Sequence, residues 1–396
     1  MSARGRPKGQ PGATMELTGH PDHVLRHEPS ACRRCCAGFR NPLDACGVAV
    51  NFVGTSSSLE RGYEIRRSVI FLATAARWCV MSVSGSGSSD VVQKINEALG
   101  VRLLPRPPED FDPVQASDRE LLEYGYPVRP DIDLHPELHE RWNRMMSRRM
   151  LFIEPQFAIA PDWVSRRQQD LVALTKESWS GIVARPSPDD PDDHVTNVRG
   201  QWTVPAVVSP KNYSGFYTCM TWVGIDGYGK RDNLRGQLLQ AGTFQYGDGC
   251  GTYTSPWWEW WPGEYAKTIH NFHVGPGDVV FCSISVHSPN TAEIYMHNIT
   301  TRIATAFGTL APGDGVVIGN TAEWILETNQ ENGRPQVLAQ FGDVYFDQCL
   351  AYTRNRKWLN SGQGDLLNQT DVNGEIIATT SRLTDHPFVV SYTAEP

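Results

Sequence analysis

The chain contains no run of about eighteen uninterrupted apolar residues, so a helical membrane-spanning protein is disfavoured. Neither sign of charge dominates: 36 Lys and Arg stand against 44 Asp and Glu in 396 residues, which argues against a surface given over wholly to nucleic acid. Cysteine is sparse and odd in number, nine in all. Cys219, Cys250, Cys282 and Cys349 are spread through the later half, so no dense disulfide framework is implied; two bridges and buried free thiols are equally open readings. A second C-x-x-C pair is missing too. Cys32 and Cys35, with His20, His23 and His27 nearby, therefore supply at most half of a zinc site. The acidic cluster Asp189, Asp190, Asp192 and Asp193 lacks EF-hand spacing and reads as a solvated loop.

What the chain has in quantity is Trp, Gly and Pro, at 12, 35 and 27 residues. That composition belongs to a turn-rich β architecture. Residues 1–90 read as a disordered or spurious leader, basic and Gly/Pro-rich at the start. Within it, Arg66-Arg67 followed by SVIFLATAARWCVMSVSGSGSS has the basic start, apolar centre and small-residue end of a secretion signal, although Arg77 interrupts it and it lies well inside the chain. The run GRPKGQPGAT followed by C-x-x-C and AGF is similar to the N-terminal zinc-ribbon region of insertion-sequence transposases, and no function is carried over from it.

Residues 91–173 show apolar residues at helical spacing in VVQKINEALG, DRELLEYG and PELHERWNRMMSRRM, separated by proline-rich turns. They are expected to form a small helical region of prosegment type or a permanent packing element. From 174 to 396 the pattern changes to short alternating runs divided by Gly, Pro, Asn and Asp. Such spacing predicts an all-β fold, an antiparallel sandwich of two sheets resembling the lectins.

The stretch Trp222 to Trp261 concentrates the chemistry, with TWVGIDG, QLLQAG and YTSPWWEWWP in close succession. At the two-residue period of a strand, Trp257, Glu259 and Trp261 share one face, and Trp258 and Trp260 the other. Trp258 and Trp260 are expected in the core, Trp257 and Trp261 along a substrate cleft. Gln240, Glu259 and Glu323 each interrupt an apolar run, where an unsatisfied polar group costs about 1–3 kcal/mol. In TAEWILE, Glu323 and Glu327 share a face roughly 13 Å apart, so only one of them can partner Gln240. Asp278 in PGD reads as a turn residue.

The ordered set SWSGIV, WVGIDG, LQAG, YTSPWWEWWP, PGD, NITT, TAEWILE and FGDVYF, over residues 178–350, resembles the glutamic peptidase, or eqolisin, family. The resemblance implies a two-sheet sandwich, endopeptidase activity at acidic pH and a Gln/Glu dyad. On matching motif positions it places the dyad on Gln240 and Glu323, with Trp179, Trp222, Asp226 and Glu259 lining or supporting the cleft. Two departures stand out: a longer spacing between Asp226 and Gln240, and Thr254 where the family has an acidic residue. The family also implies secretion; the sequons at Asn212, Asn298 and Asn368 are too short to decide that.

The residue types suit amide hydrolysis. A single carboxylate, Glu323 in this reading, takes a proton from water and then delivers it to the leaving nitrogen. Gln240 offers an amide N–H to the oxyanion and a carbonyl to the water. No cofactor or metal is expected. The expected partners are protein or peptide substrates, with no nucleic acid and no membrane, in a monomer. The competing readings are a glycoside hydrolase using Glu259 and Glu323, and a carbohydrate-binding module using the tryptophans.

Overall fold

The computed structural model describes residues 99–159, 178–228, 237–248, 251–331, 334–384 and 386–394, and the backbone of 67–74 and 77–84. The Cys32–Cys35 motif lies outside the described residues. The signal-like segment contributes an antiparallel hairpin, β1 (Arg67–Thr74) with β2 (Arg77–Ser84).

Next come β3 (Val101–Leu103), helix α1 (Asp118–Glu123), helix α2 (Pro136–Met146), β4 (Leu151–Phe152) and β5 (Phe157–Ile159). Helix α1 starts at Ser117, whose hydroxyl accepts from Glu120 N while the Glu120 carboxylate accepts from Ser117 N, a reciprocal cap. Helix α2 starts with Pro136, tolerated there because its missing N–H would have no partner in the first turn. Its Trp142, Met145 and Met146 are buried.

The alternating runs then form β6 (Trp179–Ala184), β7 (Val195–Thr203), β8 (Tyr217–Ile225), β9 (Leu238–Gly247), β10 (Thr252–Trp261), β11 (Lys267–Ile269), β12 (Val279–Ser288), β13 (Thr291–Asn298), β14 (Ile303–Leu310) and β15 (Ala322–Glu327). One sheet runs Asp365–Leu367, β6, β15, β8, β9, β10, β11, β5. The other runs Gln369–Thr370, Ile376–Arg382, Phe388–Tyr392, Asp343–Thr353, β7, β12, β13, β14, β3. The expected all-β sandwich is what forms.

Between the sheets, Ile182, Val223, Leu239, Ala241, Trp258, Trp260 and Trp324 of the first meet Val198, Trp202, Val280, Ile284 and Phe307 of the second. Buried indoles need an acceptor, and each tie found here crosses the sandwich. Trp202 Nε1 donates to Thr243 Oγ1 at 3.0 Å, Trp260 Nε1 to Thr309 Oγ1 at 2.9 Å, and Trp324 Nε1 to Arg199 O at 2.8 Å. Cys219, Cys282 and Cys349 are buried free thiols.

Residues 99–159 are less helical than their spacing suggests, because short pieces of them extend both sheets. β3 and β4 pair with β14, and β5 pairs with β11. An edge strand presents unpaired N–H and C=O groups, so even a two- or three-residue segment gains by adding to it. The helices lie on the outer face of the second sheet, where Trp142, Met146 and Phe152 pack with Phe281, Tyr295, Ala304 and Ala306. Elsewhere, Asp190 and Asp193 of the acidic cluster engage the Lys357 ammonium, and Asp193 is buried rather than solvated.

Candidate active site

The outer face of the first sheet carries the polar residues. Strand register sets them in one row: Val183 opposite Glu323, Glu323 opposite Gly224, Gly224 opposite Gln240, and Gln240 opposite Glu259. Directly opposed residues on antiparallel strands point to the same side, so this row belongs to one surface. Gly224 is required by a close approach. A Cβ there would lie 2.8 Å from Trp222 Cζ3 and 2.9 Å from Leu238 Cδ1. The Trp222 ring therefore occupies the space above Gly224, between Glu323 and Gln240.

Gln240 and Glu259 do meet: Gln240 Nε2 donates to Glu259 Oε2 at 3.1 Å, and both residues are 4% exposed. Gln240 Oε1 is buried and accepts no hydrogen bond within the protein. Glu323 is 0% exposed, and neither of its oxygens is engaged in a hydrogen bond. Burial pushes its carboxyl well above the usual range; Asp226 adds to this, while the Thr321 hydroxyl and Arg185 work against it.

Glu327 lies four residues further along the same face of β15, opposite Trp179 and Met220, and keeps part of its surface exposed. Its carboxyl is nevertheless desolvated, and burial together with the Glu259 carboxylate pushes it up to about 8. The indoles of Trp179 and Trp222 favour its anion, although neither N–H reaches hydrogen-bond geometry. These two indoles meet edge to face, with centroids 5.0 Å apart, and Tyr228 stacks on Trp179 at 6.3 Å.

The peptidase A4 family model matches residues 177–392. The chain belongs to that family. It is a glutamic peptidase, as the ordered motifs implied. Aspergillopepsin-2 from Aspergillus niger is 27% identical to it over 228 residues, 51% of this chain and 77% of the relative. Scytalido-glutamic peptidase, solved with a transition-state analogue inhibitor, is 21% identical, covering 55% of this chain and 98% of its own at a TM-score of 0.46. Aspergilloglutamic peptidase from Aspergillus niger is 25% identical, covering 45% and 99%, at 0.40.

In this peptidase the remaining candidates divide by depth. Asp226, at φ 71°, accepts from the backbone N–H of Ile318 at 2.6 Å, Gly319 at 3.0 Å and Asn320 at 2.7 Å. Its carboxylate thereby ties the end of β8 to the turn that leads into β15, and so sets where both glutamates of β15 lie. Trp257 is fully buried on the site face beside Trp222 and Ile325, and Trp261 packs there partly exposed. Trp258 and Trp260 face the opposite sheet. Asp278 is a turn residue whose Oδ2 accepts from Gly275 N and Asn298 Nδ2, both at 2.9 Å.

Two further residues lie on this face, Glu327 and Tyr228. Glu327 shares a face with Glu323 and no periodicity separates them. Tyr228 follows a positive-φ pair, Asp226 and Gly227, that turns the chain back over the face. The glycoside-hydrolase reading loses its geometry: Glu259 and Glu323 stand three strands apart, roughly 14 Å between Cα atoms. Glu259 is also engaged by Gln240. Among the described residues no cluster of His, Cys, Asp and Glu is arranged to hold a metal ion, and no helix is long and apolar enough to cross a membrane.

Proposed function

We propose that this peptidase is an acid-acting endopeptidase that uses Gln240 with a glutamate, and that the glutamate is Glu327 rather than Glu323. The observation that carries this choice is exposure. Both carboxyls lie on the Gln240 face, but Glu323 is sealed at 0% exposure whereas Glu327 keeps part of its residue surface exposed, its desolvated carboxyl lying near Trp179, Trp222 and Glu259. A general base must reach the water it deprotonates, directly or through one further water.

In the reaction, the Glu327 carboxylate takes a proton from water as the water oxygen bonds to the scissile carbonyl carbon. The carbonyl oxygen takes up the negative charge and accepts from a Gln240 N–H. The C–N bond then breaks as Glu327 returns the proton to the leaving nitrogen, and the carboxylate is regenerated. Burial suits Glu327 to both halves, since a carboxyl with raised proton affinity is a stronger base when ionised and holds the proton until the amine takes it. The acid working range is what the family resemblance implies; with the Glu327 carboxyl raised to about 8, the reaction there draws on its small ionised fraction.

The test is cleavage of a denatured protein between pH 2 and 7. Gln240→Ala is expected to lose about 100- to 1,000-fold in rate, as for other lost oxyanion donors. Glu327→Gln is expected to abolish cleavage, and Glu323→Gln to retain most of it. Full proteolysis by Glu327→Gln, with loss in a folded Glu323→Gln, would return the role to Glu323.

A further inference from the structure

The pairing of Gln240 with Glu259 bears on a choice that every glutamine side chain faces. The two ends of an amide have nearly the same shape, and the hydrogen-bond network alone decides which end points where. Here one side of that network is a carboxylate directly across the ladder, on the neighbouring strand and in the same register position. An ionised carboxylate only accepts. It therefore admits the NH₂ end of Gln240 and excludes the oxygen end, which would set two buried acceptors against each other.

With nitrogen toward β10, the Oε1 atom is turned away from Glu259. It is buried and takes no hydrogen bond within the protein. One amide proton is occupied by Glu259 at 3.1 Å, and the second remains for another acceptor. The amide thus presents one acceptor and one donor, the pair that a water and a developing oxyanion require. The backbone beneath cannot swing to compensate, because β9 is held by β8 on one side and β10 on the other.

From this geometry we propose that Glu259 is a positioning residue for the peptidase reaction: its carboxylate selects the one orientation of the Gln240 amide in which the nitrogen faces β10 and the oxygen is free for the attacking water. The proposal rests on the assignment of Gln240 to the dyad. It also makes the orientation sensitive to protonation, since a carboxylic acid O–H donates to Gln240 Oε1 and admits the flipped amide. Among the described residues, the ionisable groups that bear on Glu259 include the Glu327 carboxyl from β15 and the Lys267 ammonium from β11, the latter paired with Glu264.

The experiment is a pH profile of kcat and KM on a peptide substrate for the parent, Glu259→Gln, Glu259→Asp and Gln240→Ala, with melting curves to show that each is folded. Glutamine at 259 presents either an acceptor or a donor and does not titrate. We expect its kcat to fall about tenfold, as for the loss of one net hydrogen bond, with KM changed less than twofold, and the acid limb of the kcat profile, which Glu327 sets as the base, to move to lower pH because the Glu259 carboxylate no longer raises it. Glu259→Asp, which keeps a carboxylate, should return the acid limb toward its parental position and restore part of kcat. A Gln240→Ala variant with parental rates would remove the dyad assignment, and this inference with it. An inactive Gln240→Ala alongside a Glu259→Gln variant that keeps parental kcat and its acid limb would overturn the positioning role alone. So would a Glu259→Gln defect confined to KM, which would make Glu259 a substrate contact.

Discussion

The two outer faces of the sandwich are built from similar strands and are used in opposite ways. On the second sheet the outer face is closed by residues 99–159, which set Trp142, Met146 and Phe152 on Phe281, Tyr295 and Ala304. Arg199 is trapped beneath them at 1% exposure, donating to Val128 O at 3.3 Å and lying 4.8 Å from the Trp358 ring. Burial pulls its guanidinium down to about 9. On the first sheet, among the described residues, no helix covers the site face; Gln240 and Glu259 are buried under neighbouring side chains, Glu327 keeps part of its surface exposed, and burial acts there on carboxyls, pushing Glu327 up to about 8. Desolvation disfavours charge on both faces. It serves structure where the chain covers the face and chemistry where a substrate must enter.

The contrast is broken most forcefully at Trp142. Its indole is fully buried and donates to Pro127 O at 3.2 Å, so Trp142→Ala should cost about 3–5 kcal/mol in denaturant unfolding. If the covered face is purely structural, the molecules that remain folded should keep parental kcat; a matching fall in kcat would erase the division between the faces.

A smaller effect is expected at Asp226, which joins the open face to the turn before β15. Asp226→Asn leaves one acceptor oxygen for three backbone donors and should cost about 1–3 kcal/mol. Because the turn places β15, the rate should fall as well, measured alongside the melting temperature. A destabilised variant with parental kinetics would confine Asp226 to the scaffold.

The smallest effect depends on pH. Glu323 binds its proton more tightly in the folded chain than in the unfolded one. The folded state thus carries no penalty below the ordinary carboxyl pKa of about 4.3, and it loses stability as pH rises from there toward the folded value. Glu323→Gln removes that loss. It should melt with the parent at pH 4 and above the parent at pH 7; equal melting temperatures at both would show that Glu323 is not the sealed acid its surroundings describe.

Much of this was legible in the chain. The alternation in YTSPWWEWWP separates Trp258 and Trp260 from Trp257 and Glu259, and the structure distributes them between core and site face accordingly. Helix α2 follows its apolar spacing and its leading proline. The strands β3, β4 and β5 were not legible, since two or three residues carry no periodicity and these form only because β14 and β11 offer edges. Nor could periodicity separate Glu323 from Glu327, which point the same way from one strand.

Local chemistry therefore settles what repeats along the chain: which elements form, which side chains share a face, and that Gln240, Glu259 and two glutamates of β15 lie on polar positions in apolar strands. Adjacency and depth are settled only by the packed molecule. Register across β15, β8, β9 and β10 sets Glu259 on Gln240, the Trp222 ring above Gly224 stands between Gln240 and Glu323, and the same packing leaves part of Glu327 exposed. The reason is physical: a strand's period is a property of neighbouring residues, whereas solvent exposure is decided by groups distant in sequence that fold brings overhead.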